Sequence, residues 1–123
     1  MRFTQDLSSA SHVIRGYGGG ELRIDEETYR ETVIVSASTI QSMPGIKTVD
    51  DLTALDLSPI LALEPELFLL GTGKRQIFPA ASFRARFLSA GIGIEVMDTG
   101  AACRTFNVLV SELRRAVALL MVG

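Results

Sequence analysis

The chain has 123 residues, 47% of them hydrophobic and 21% charged, with a net charge of −2; this suits one globular core and excludes extended disorder. A slightly acidic chain is no general nucleic-acid binder, because phosphate affinity needs clustered lysine and arginine. One cysteine and one histidine allow no internal disulfide and too few ligands for a zinc site, so no metal or other cofactor is expected.

The opening residues 1–10 lack the apolar core of a secretory signal, and a lone thiol suits a reducing compartment, so a cytoplasmic location is expected. No segment reads as a membrane span, since the longest helical candidate carries Arg104, Glu112, Arg114 and Arg115. Residues 1–123 read as a single domain. Charge is uneven: residues 1–73 hold 5 basic and 11 acidic side chains, and residues 74–123 hold 7 basic and 3 acidic. A basic face for an anionic ligand is one reading of this asymmetry, and mixing by the fold is the other.

In chain order, His12–Tyr17 and Glu21–Ile24 read as two strands joined at Gly18–Gly20, a run suited to positive φ. Asp25–Thr28 is a turn. Tyr29–Ser36, with four β-branched residues in succession, reads as a third strand of an antiparallel meander. Ser42–Gly45 is a loop. Thr48 caps a short helix through Leu55, and Ser58 with Pro59 starts another. Leu67–Gly71 is an apolar run, as in a strand buried on both faces. Pro79–Ala90 is helical with Gly91 after its end, and Ile92–Met97 is a strand. A long helix over Thr99–Val122 follows, with an apolar stripe through Ala102, Phe106, Leu109, Val110, Leu113, Val117 and Leu120. A strand–helix–strand–helix succession implies parallel pairing. The fold class is α/β after an α+β-like hairpin region, with a mixed sheet and packed helices.

Several motifs invite chemistry. Gly71-Thr-Gly-Lys-Arg75 follows a strand, yet lacks the first glycine and the Ser/Thr of a nucleotide P-loop, so it reads as a turn. Asp98-Thr-Gly has the letters of an aspartic-protease site, but such a site needs a paired carboxylate, and Asp98 directly precedes a helix that Asp or Thr would cap. Cys103 falls in the first turns of that helix, where the dipole and Arg104 favour thiolate; the alternative is a small buried residue packing helix on sheet. Parallel sheets place ligands at the carboxyl ends of strands. A candidate crevice therefore comprises Gly71, Thr72, Gly73, Lys74 and Arg75 on one lip, and Asp98, Thr99, Cys103 and Arg104 on the other. Lys74, Arg75, Arg104 and helix N–H groups would suit a small anion.

Gly71-Thr-Gly-Lys-Arg75 and Ile94-Glu-Val-Met-Asp-Thr-Gly-Ala-Ala-Cys-Arg-Thr-Phe-Asn-Val-Leu109 together resemble the small-domain family that includes mitochondrial complex I assembly factor 3 and uncharacterised bacterial and archaeal members. Ile14, Tyr17, Gly20, Ile24 and Tyr29 fit that family's opening hairpin. The resemblance implies a three-layer α/β domain with a mixed sheet, a protein partner, and no established catalytic residues. Leu113 after Glu112 departs from the family's Glu-Gly-Arg, and Ser36 stands where proline is frequent. The leading expectation is a non-enzymatic, assembly-factor-like interaction domain. Its alternatives are a small-anion or metabolite-binding domain using loops 71–75 and 98–104, and a cysteine-dependent enzyme or redox sensor.

Overall fold

The computed structural model describes residues 11–123; the stretch read for a secretory signal lies outside the described residues. The chain opens with an antiparallel meander of β1 (Ile14–Gly18), β2 (Glu21–Ile24) and β3 (Glu27–Tyr29). Gly19 and Gly20 turn the first hairpin with φ of +61° and +77°, which glycine adopts without steric cost.

The expected strand Tyr29–Ser36 is divided. Tyr29 ends β3, whereas Val33–Val35 forms β4 in a second sheet. All three β4 residues are buried, and β3 is exposed at Glu27 and Thr28. A strand covered on both faces needs the first composition, and an edge at the surface tolerates the second. A short strand β5 (Ile40–Ser42), not expected from the sequence, pairs antiparallel with β4.

Next come a 3₁₀ helix (Val49–Ala54) and α1 (Ser58–Leu61). At the 3₁₀ start the Asp51 carboxylate accepts from the amides of Lys47 and Thr48, at 2.9 and 3.1 Å. Then follow β6 (Leu67–Thr72), α2 (Ala81–Ser89), β7 (Gly93–Met97) and α3 (Thr99–Ser111). Gly91, with φ of +78°, lies two residues past α2, as the sequence implies.

The largest correction concerns the C-terminus. The helix expected to reach Val122 stops at Ser111, and Ala116–Met121 forms β8. This strand lies inside the five-stranded sheet, whose order is β5-β4-β8-β6-β7. It pairs antiparallel with β4 and parallel with β6. All six of its residues are buried, which explains an uninterrupted apolar run. The helix ends with Arg114 N–H donating to Leu109 O and Leu113 N–H to Val110 O, both at 2.9 Å. That is the two-bond Schellman stop, whose left-handed residue is normally glycine. Here it is Leu113, with φ of +62°, so the sequence carries no visible stop signal.

Alternation along the strands produces three layers. Ile34, Phe68, Leu70, Val117 and Leu119 face one side, beneath Leu52 of the 3₁₀ helix, Leu55 just past its end, Ile60 of α1, and Phe83 and Phe87 of α2. Phe68 stacks on Phe87 with centroids 4.3 Å apart, and Phe83 meets Phe87 edge-on at 5.2 Å. Val33, Val35, Leu69, Ala118 and Leu120 face the other side, with Ala102, Cys103, Phe106 and Leu109 of α3 and with Ile14, Leu22 and Ile24 of the small sheet. The expected mixed sheet with packed helices is the observed architecture.

Candidate functional site

Strands β6 and β7 run parallel as neighbours, with Gly71 in register with Met97. The loops that follow them therefore emerge side by side. What joins them is Thr99, whose side chain has no exposed surface. Its Oγ1 accepts from the Gly73 amide at 2.8 Å and donates to Met121 O at 2.7 Å. Its own amide donates to Gly73 O at 2.8 Å. One hydroxyl thus binds the end of β6, the end of β8 and the start of α3. Leaving those buried backbone groups unpaired would cost about 1–3 kcal/mol each.

The glycines serve the same junction. A Cβ on Gly71 would lie 3.0 Å from Thr99 Cα and 3.1 Å from Ala102 Cβ, so the strand and helix approach as closely as glycine allows. Gly73 has φ of +90°, and a Cβ there would come within 2.7 Å of Gly123 O. Thr72 shapes the turn: its hydroxyl donates to Arg75 O at 2.5 Å and accepts from the Ile77 amide at 2.9 Å.

On the second lip Asp98 is the helix cap, its Oδ1 accepting from Ala101 N–H at 2.9 Å. Cys103 is only 6% exposed. Burial pushes its thiol up to about 12; Arg104 pulls the other way and Asp98 adds to the rise. Desolvation therefore outweighs the pull of Arg104 on which the thiolate reading leaned, and the buried position fits the alternative of a small residue packing helix on sheet. The sole histidine, His12, is engaged elsewhere, with Nδ1 2.6 Å from Asp25 Oδ2. Tyr17 packs at the same helix start, and burial, followed by Cys103 and Asp98, raises its phenol.

The nine candidate residues thus divide. Gly71, Thr72, Gly73, Thr99 and Cys103 are buried, Asp98 is half-buried, and Lys74, Arg75 and Arg104 are exposed. The Gly73, Thr99 and Ala101 amides, which an anion would seek, are bound internally. Cavities of about 440 and 290 Å³ open elsewhere, and no residue of either loop lines them. Among the described residues no group of three or more His, Cys, Asp or Glu is placed to hold a metal. What this arrangement does chemically is hold three elements together.

A family model described as a protein of unknown function (DUF498/DUF598) matches residues 14–121. The chain belongs to this family. NADH dehydrogenase (ubiquinone) 1 alpha subcomplex assembly factor 3 of Danio rerio is 34% identical over 120 residues, covering 95% of this chain and 68% of that protein. The 13 kDa major membrane protein of Francisella tularensis subsp. holarctica is 26% identical over 122 residues, covering 98% and 99%. An NMR structure of a Xanthomonas campestris protein aligns with a TM-score of 0.82 at 34% identity, over 92% of this chain and 86% of that one. For this DUF498/DUF598 member, no helix among the described residues is long and apolar enough to cross a membrane.

Two residues of this family member matter more than their sequence context indicates. Asn107, a polar residue on an otherwise ordinary helix face, accepts from Ile14 N–H at 3.0 Å and donates to Ile14 O at 2.8 Å. It replaces a strand partner for β1 at the point where β1 shifts register against β2. An asparagine facing an apolar stripe was the available signal. Leu113 is the other, and its left-handed conformation has no signal in the residue type.

Proposed function

We propose that this chain is a non-enzymatic protein-interaction domain with an assembly-factor-like role in the cytoplasm, acting as one unit over residues 1–123. One observation carries the reading: the likeness to an assembly factor extends over 95% of the chain rather than over a motif. The site geometry supports it. The thiol that a cysteine enzyme would need is buried, and the hydroxyl and amides between the loops are spent on internal bonds. The small-anion reading retains the exposed Lys74, Arg75 and Arg104 as its donors. A phosphate titration that shifts the Lys74 and Gly100 amides would favour it over the interaction reading.

The test is affinity purification of the tagged chain from its native host, with Cys103→Ala in parallel. The reading requires a stoichiometric partner that Cys103→Ala retains. Absence of any such partner, or its loss from a folded Cys103→Ala, contradicts the reading.

A further inference from the structure

The C-terminal end of α3 carries a feature that the fold does not require. Leu113 has φ of +62° and is 93% exposed. Glycine would make the same two helix-ending hydrogen bonds without the Cβ clash, and would expose no leucine to water. A residue that is strained in its backbone and unburied in its side chain marks a place to look for function.

Leu113 stands at the rim of a cavity of about 290 Å³, together with Leu63, Val110, Val117, Arg114 and Arg115. Two cations and no carboxylate line this cavity, although the chain as a whole is acidic. Arg115 is held in place: its Nε donates to Glu64 O at 2.8 Å, and its amide to Glu66 Oε1 at 3.0 Å. Glu64 is itself left-handed, with φ of +50°. Of the three left-handed non-glycine residues among those described, Leu113 lines this cavity and Glu64 holds the arginine that does. Arg114 has only a long 3.8 Å contact to Glu66, and so remains available to an incoming carboxylate.

We propose that this cavity docks a peptide segment of a partner protein in which an aliphatic side chain is flanked by carboxylates. The inference rests on the interaction-domain reading and assigns its surface. The apolar floor takes the aliphatic group, Leu113 is covered as the segment seats, and the two arginines meet the flanking charges. A concave site also lined by Ser11, Ser36 and Ser38 fits a side chain better than it fits a flat bilayer.

The experiment is an amide NMR titration of the isotope-labelled chain with two blocked synthetic hexapeptides, Leu-Leu flanked by glutamates or by lysines, and with phosphatidylglycerol vesicles. The glutamate peptide is expected to shift the Val110, Leu113 and Ala116 amides saturably, with Kd at least about tenfold below that of the lysine peptide. Leu113→Gly keeps the helix stop and so stays folded; it and Arg114→Ala should each weaken binding about fivefold or more. No shifts, equal shifts with both peptides, or binding of vesicles in place of peptide would overturn the proposal. Capture of the native partner separates the two levels. Equal capture by wild type and Leu113→Gly overturns this docking site while leaving the interaction reading intact. No capture by wild type removes that reading as well.

Discussion

The two ends of α3 are built on opposite terms. At its start the buried side-chain nitrogens and oxygens among the described residues are matched: Thr99 satisfies Gly73 and Met121, Asp98 caps the helix, and Gly71 allows the strand and helix to touch. At its finish a leucine occupies a glycine's conformation and leaves its side chain in water. The start carries the letters that attract a catalytic reading, yet its chemistry is turned inward. The finish carries no motif, yet it is where stability has been given up. In this molecule a well-satisfied cluster marks structure, and a local inconsistency marks the surface free to do something else.

The contrast can be broken at graded cost. Phe106, in the middle of α3, is fully buried among Ile14, Leu22, Leu69 and Leu120. Phe106→Ala should lower unfolding free energy by about 3–5 kcal/mol in urea denaturation; a loss under ~1 kcal/mol would mean that α3 is not the centre of its layer. Thr99→Val keeps the shape and removes both side-chain hydrogen bonds. It should cost about 2–4 kcal/mol, since a buried amide and carbonyl lose their partner. Leu113→Gly should stabilise the fold by about 1 kcal/mol, read as a higher melting temperature, by relieving the left-handed strain.

The smallest effect concerns Cys103. Burial holds its thiol at about 12 in the folded chain, above the roughly 8.5 of a free thiol. The unfolded chain therefore loses this proton first as pH rises, and stability should fall from about pH 8.5 upward. Cys103→Ala should flatten that part of the slope. Iodoacetamide should label native Cys103 roughly a hundredfold more slowly than free cysteine at pH 8; labelling faster than free cysteine would restore the activated-thiolate reading.

Much of this fold is legible in the sequence, and the exceptions have physical causes. The apolar run at Leu67 and the glycines at 19, 20 and 91 announce their elements, because composition and backbone demand agree there. The last strand stays hidden because Val117 and Leu120 happen to continue the 3.6-residue stripe begun at Ala102, and because Leu113 conceals the stop. The break between Tyr29 and Val33 is equally silent, since four β-branched residues in a row do not reveal which sheet they join. For the candidate site, adjacency of the two loops follows from strand order. The inward direction of Thr99 and Cys103 does not, because burial depends on β8, the element that the periodicity conceals.

Equilibrium unfolding of Thr99→Val and Leu113→Gly, measured side by side with wild type, tests the contrast most directly. The account predicts changes of opposite sign: a loss of about 2–4 kcal/mol at the start of α3 and a gain of about 1 kcal/mol at its end. A destabilised Leu113→Gly, or a Thr99→Val indistinguishable from wild type, would contradict it.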